Sequence, residues 1–253
     1  MTSVADETPP GERLPPAAKA SDRIGLYTPE EAAFYARVSL RLLNHWLFSD
    51  GDERVIAPQI QEQSDDDRVV TFMDLVQALA VRSIRLDFKI PLHKIRTAVR
   101  DIQEKHGIEY PFAREHTTYL RSDKKRKGHG EILIRLPGIT EDDDRFVEVS
   151  GSGRGNFVMK TILESYLDEL TFDKHGFAMR YKPFNLDSQS IILDPHVRLG
   201  EPIVESCGYT AQTLWETVFT EGSIAAAAVA CGVDESCVRV ALKYHDHLNG
   251  IAA

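Results

Sequence analysis

Four groups of reactive side chains stand out, and each can be weighed by its spacing. Asp142, Asp143 and Asp144 have the chemistry to bind a divalent ion, but adjacent acids in a turn alternate in direction and do not converge. His245 and His247 would ligate a metal only with further ligands, and Cys231 and Cys237 fall outside the spacing usual for structural zinc. Gly151-Ser152-Gly153-Arg154-Gly155 precedes a helical pattern, as a phosphate cradle would. It lacks both the Gly-Lys-Ser/Thr ending and the GxGxxG spacing, so it reads as a turn. Lys124-Lys125-Arg126-Lys127 is a compact basic run able to clamp phosphate or an acidic partner, although most such runs are solvated loop. No Ser/His/Asp set, paired-acid motif or nucleotide loop emerges. The expectation is a protein that is not an enzyme and uses no metal and no cofactor.

Composition narrows the remaining classes. The 253 residues are 42% hydrophobic and 27% charged, an ordinary globular mix for one large domain or a few small ones. No apolar run reaches the ~18 residues of a membrane span. The N-terminus lacks the layout of a secretory signal. Three cysteines, Cys207, Cys231 and Cys237, are an odd number without CxxC spacing and argue against a disulfide framework, and the cytoplasm is the expected compartment. The net charge of −9 argues against a protein coated in basic charge, but leaves room for a small local reading surface. Charge is segregated: residues 189–253 hold 3 basic groups against 8 acidic, the poorest segment for touching phosphate.

The elements that would position a site follow from caps and periodicity. Residues 1–23 hold five prolines and glycines but almost no large apolar side chains, and read as a disordered arm. Thr28-Pro29-Glu30-Glu31 starts a helix, and Ser39 caps a second whose buried face is Leu43, Trp46 and Leu47. Two short helices around a tight turn give a helix-turn-helix layout. Arg54-Val55-Ile56 and Arg68-Val69-Val70 are β-prone and fit a two-stranded wing. Helices then follow from Thr71 and from Ile90 to about His106. From Tyr110 the pattern changes to strands over 131–136 and 145–149, a helix over 157–170, and short strands at 177–181 and 191–193. Thr210, Ser223 and Asp234 cap three final helices, with turns at Gly222 and Gly232. The fold class expected is mainly α with a small β component (α+β). Its units are 24–108, a central β-containing dimerisation region at 109–188, and a three-helix unit at 189–253.

The stretch from Tyr27-Thr28-Pro29 through Arg37-Val38-Ser39, Trp46, Arg54, Arg68, Phe72 and Ile84-Arg85 to Ile95-Arg96 resembles the N-terminal winged helix-turn-helix of the MerR type. The resemblance implies that the second helix enters the major groove, with DNA contacts from Arg37, Ser39, Arg41, Asn44, His45, Arg54 and Arg68. Arg and Asn are side chains that make bidentate contacts to base edges, and Arg suits phosphate as well. The C-terminal order Ile192-Leu193-Asp194-Pro195, Gly200-Glu201-Pro202, Gly222-Ser223-Ile224, Gly232-Val233 and Ala241-Leu242-Lys243-Tyr244 resembles the domain-of-unknown-function family numbered four-three-three, found in VapB-like antitoxins. That resemblance implies an antitoxin of a type II toxin-antitoxin system, bound to a PIN-like ribonuclease toxin, that represses its own operon as a homodimer. Arg121, Lys124, Lys125, Arg126 and Arg198 are the candidates to meet the toxin. The competing expectation is a MerR-like regulator that responds to a ligand.

Overall fold

The computed structural model describes residues 25–60, 64, 67–115, 117–121, 131–136, 145–149 and 169–252. The fold is mainly α with a small β component. The expected arm 1–23 and the loops holding Asp142–Asp144 and Gly151–Gly155 lie outside the described residues, as does most of the helix expected over 157–170. Leu170, the last residue of that expected helix, is in a strand.

The chain enters through β1 (Gly25–Tyr27) and turns into α1 (Pro29–Ala36). Thr28 and Glu31 form a reciprocal capping box, each side chain accepting from the other's backbone amide at 3.2 and 2.8 Å. The buried face of α1 is Ala32, Ala33 and Ala36, so neighbouring elements can approach closely. Arg37 ends the helix in the left-handed region, with φ 57°. Ser39 then caps α2 (Leu40–Leu47) through the amide of Leu42, and Leu43, Trp46 and Leu47 are fully buried as the periodicity predicts.

The expected two-stranded wing is not formed between its two β-prone pieces. The amides of Val55 and Ile56 both donate to the Trp46 carbonyl, at 3.0 and 3.1 Å, and this pins the base of the following loop against α2. Val70 and Thr71 form β2, which pairs antiparallel with β1 instead. A backbone partner more than forty residues away in sequence, Gly25 for Thr71 and Tyr27 for Val70, thus displaces the local hairpin.

Thr71 and Asp74 form a second capping box at the start of α3 (Phe72–Arg82), a helix buried on almost every side. Its end widens into a π turn over Ser83–Asp87, closed by the Phe88 amide bonding back five residues to the Ser83 carbonyl at 3.2 Å. Next comes α4 (Leu92–His106), stopped by Gly107 at φ 65° as the sequence predicts. A meander of β3 (Thr118–Arg121), β4 (Glu131–Leu136) and β5 (Arg145–Glu148) follows, with Ile132 and Ile134 packed into the same core as the helices.

A second meander, β6 (Leu170–Phe172), β7 (Ala178–Leu186), β8 (Gln189–Leu193) and β9 (Ile203–Val204), carries the last helices: α5 (Ala211–Glu221), α6 (Ile224–Cys231) and α7 (Glu235–Ala252). The boundary expected at 188/189 falls inside the β7–β8 hairpin, so the final unit starts earlier than its helices suggest. Leu170, Ala178, Tyr181 and Leu193 of this sheet belong to the N-terminal core, whereas Ile191 and Val204 belong to the C-terminal one. Among the described residues no helix is long and apolar enough to cross a membrane.

Candidate nucleic-acid interface

With Leu43, Trp46 and Leu47 committed to the core, helical spacing turns positions 41, 44, 45 and 48 of α2 and its cap outward. Arg41 is exposed and makes no hydrogen bond or ion pair among the described residues. Asn44 is half-buried, and its Oδ1 is enclosed without a partner, so one end of its amide points toward protein. The Nδ1 atom of His45 lies 3.0 Å from the Ser49 hydroxyl, which fixes the ring and leaves its other nitrogen available.

The loop after α2 extends this surface. Arg54 donates through Nε to the Ser49 carbonyl at 3.0 Å. The Arg68 guanidinium lies 4.8 Å from the centre of the Phe48 ring. Arg54, Arg68 and His45 are thereby gathered at the C-terminal end of α2 by contacts through Phe48 and Ser49. Of the acids beside this group in sequence, Asp52 is engaged by Arg100 at 2.8 Å, whereas Glu53 and Asp67, which adjoin Arg54 and Arg68, are exposed. Ser39 is exposed at the other end of α2, its hydroxyl used as the helix cap.

Arg37 departs from the phosphate-contacting role that the resemblance implies. The left-handed backbone at the end of α1 sends its side chain inward, where Nη2 donates to the Pro183 carbonyl of β7 at 2.8 Å. Its Nε is enclosed. Arg37 is therefore a tie between the α1–α2 turn and the second meander. Nothing in its immediate sequence signals this, because the partner is a backbone carbonyl 146 residues away.

Of the residues expected to meet a protein partner, Lys124, Lys125 and Arg126 lie outside the described residues, and only the backbone of Arg121 is described, at the end of β3. Arg198 is exposed on a tight turn after β8. It and Leu199 both adopt positive φ, 49° and 56°, a conformation that costs energy for non-glycine residues. Leu199 is 73% exposed. The turn is anchored at its far side by the Tyr27 hydroxyl, which donates to the Gly200 carbonyl at 2.9 Å.

The C-terminal unit shows a different surface. Phe219 is 67% and Val229 83% exposed. Trp215 packs against both Phe219 and His245, with ring centres 4.5 and 5.1 Å apart. His247 packs instead on Phe184, so His245 and His247 diverge toward separate aromatic partners. Burial lowers the pKa of both histidines. Among the described residues no three His, Cys, Asp or Glu side chains are grouped to hold a metal ion. Asp194 is a buried acid that pairs with Arg180 at 2.6 Å and accepts from the His196 amide at 2.9 Å, a role that no local motif signals.

Compared with protein-family models and with curated proteins, the chain gives no match. Among solved structures, its fold is similar to the X-ray crystal structure of Rv2018 from Mycobacterium tuberculosis. The TM-score is 0.57 over 87% of this chain and 98% of that one, at 20% sequence identity. The likeness is one of fold.

Proposed function

We propose that the chain is an antitoxin that binds a PIN-like ribonuclease and represses its own operon by binding DNA in the cytoplasm. The observation that carries the DNA half is the outward face of α2, where exposed Arg41 is followed by His45 and flanked by Arg54 and Arg68. An eight-residue helix on a rigid Trp46-centred base suits insertion into a major groove, and the basic groups beside it suit the phosphates that flank the groove. Homodimerisation fits this role, because paired half-sites multiply affinity for a palindromic operator.

The antitoxin half rests on the resemblance of the C-terminal unit and on surface chemistry that suits protein. A PIN-like ribonuclease gathers acids around Mg²⁺ to activate water, and a cationic side chain placed against them blocks the site. Arg198 fits that task among the described candidates, because it is exposed on a strained turn between the exposed apolar side chains Val197 and Leu199. The competing ligand-responsive regulator of MerR type calls for a long dimerisation helix after the reading unit. α4 spans 15 residues and gives way to the β3–β5 meander.

The test is a gel shift with the DNA upstream of the gene. Arg41→Ala combined with Asn44→Ala should abolish the shift, and intact binding by that variant would remove the base-reading assignment. Co-purification with the product of the adjacent gene, lost in Arg198→Glu, tests the antitoxin half.

A further inference from the structure

A cavity of about 90 Å³ lies where the N-terminal helices meet the second meander. Its walls come from three places: Arg37 at the α1–α2 turn, Arg82 and Ser83 where α3 passes into the π turn, and Glu169 and Tyr181 at β6 and β7. Two guanidinium groups face one small space. The Nε atoms of both Arg37 and Arg82 are enclosed without a hydrogen-bond partner. A guanidinium carries five N–H donors, and among the described residues one of Arg37's is used, by the Pro183 carbonyl. Enclosed donors of a cation left unmatched are costly, and an anion is what relieves that cost.

The two acids at the cavity do not fill this role. Asp87 and Glu169 are exposed at its rim, and neither forms an ion pair with Arg37 or Arg82 among the described residues. Tyr181 is held well above its usual pKa range by burial and by the nearby Glu169 carboxylate. These carboxylates also restrict what enters, since a bulky polyanion would meet both before reaching the guanidinium groups.

We infer that this cavity is a binding site for a small free oxyanion, held between the guanidinium groups of Arg37 and Arg82 beside Ser83 and Tyr181. The shared chemistry is a compact anion with two or more acceptor oxygens, either tetrahedral, as in phosphate and sulfate, or planar, as in a small carboxylate. A nucleic-acid strand is too large for a space of about 90 Å³, so the ligand is a free ion. Arg37 joins α1 to α2, so the anion would fasten the turn before the reading helix to the sheet of the C-terminal half. The site stands independently of the proposed DNA and toxin contacts.

The experiment is isothermal titration and thermal unfolding of the full chain with sodium phosphate, sodium sulfate and sodium acetate, each at constant ionic strength set with sodium chloride. Saturable binding with a raised unfolding temperature is expected for at least one of the three, and the three arms separate tetrahedral from carboxylate ligands. Arg82→Gln should weaken binding at least tenfold, Glu169→Gln should strengthen it, and Arg41→Ala on the outer face of α2 should leave it unchanged. Arg37→Gln also loses the tie to Pro183, so Arg82→Gln is the deciding variant. The inference is overturned if no anion exceeds the chloride control, if Arg82→Gln binds as wild type does, or if Arg41→Ala removes the binding. Gel shifts of Arg82→Gln, expected to be unchanged, separate failure here from failure of the DNA reading.

Discussion

The two ends of the chain use one backbone plan to present opposite surfaces. At both ends a serine caps the second of two short helices: Ser39 accepts from Leu42 at 3.3 Å, and Ser223 accepts from Ala226 at 3.1 Å. In the N-terminal unit the helix after the cap presents Arg41 outward, with Arg54 and Arg68 alongside. In the C-terminal unit α6 carries no charged residue, and its most exposed large side chain is Val229. The two cations on this unit's helices are occupied by acids of their own helix, Arg239 by Glu235 at 3.1 Å and Lys243 by Asp246 at 3.5 Å. A shared fold plan therefore predicts little about binding, and the outward positions decide it.

The largest test of this contrast concerns how deeply each unit depends on its core. Trp46→Ala empties the base of α2 and should cost about 3–5 kcal/mol in denaturant unfolding. Trp215 fluorescence then reports whether the C-terminal unit unfolds with it, as the core residues shared through β7 and β8 require. Next in size, Arg41→Ala with Asn44→Ala should weaken operator binding roughly a hundred- to a thousandfold, at about 1–3 kcal/mol per base contact. Arg239→Ala with Lys243→Ala should leave both the affinity and its salt dependence unchanged. A matching loss from the C-terminal pair would erase the distinction between the two surfaces.

The two units also differ in their response to acid. Burial pushes the Asp74 carboxyl up to about 6, against the lowering effect of its hydrogen bonds from Thr71 and Gln59. The folded state thus holds that proton more tightly than the unfolded chain. Asp74 contributes stability that is complete below about pH 4 and lost as pH rises through about 6, up to about 3 kcal/mol in all. Burial lowers the pKa of His245, which is the opposite case: its contribution is present above the unfolded histidine range and lost as pH falls through the depressed value. Denaturant midpoints followed from pH 4 to pH 8 should flatten over the acid range in Asp74→Asn. The loss toward acid should diminish in His245→Gln. The smallest effect should be the most symmetric one: Ser39→Ala and Ser223→Ala should each cost about 1 kcal/mol, measured by thermal or denaturant unfolding.

What was legible in the sequence was local. The caps at Thr28, Ser39, Thr71, Thr210 and Ser223 and the stops at Gly107, Gly222 and Gly232 stand where residue type alone places them. So does the buried face of α2, because three apolar residues at helical spacing leave little choice. What was not legible depends on partners far along the chain. Val70 pairs with β1 and not with the nearby Arg54–Ile56 piece, since backbone pairing carries no side-chain code at that range. Arg37 looked like a phosphate ligand because its type fits, yet as the left-handed cap of α1 it turns inward to a carbonyl of β7. Leu170 satisfied a helical period but entered a strand, because a short apolar pattern fits both. Within the candidate interface, the types and order of Arg41, Asn44 and His45 were readable. The buried end of Asn44 and the Phe48–Arg68 contact were not.

The hydroxyl of Tyr27 reaches the carbonyl of Gly200 and so closes the chain's start onto its final quarter. During synthesis, this bond can form only after residue 200 has left the ribosome. β1, the strand that precedes α1 and α2, receives one of its fastenings from a segment translated 173 residues later. A chain broken off before Gly200 would thus emerge with β1 unclasped, which couples the maturation of the first-made unit to synthesis of the segment that follows.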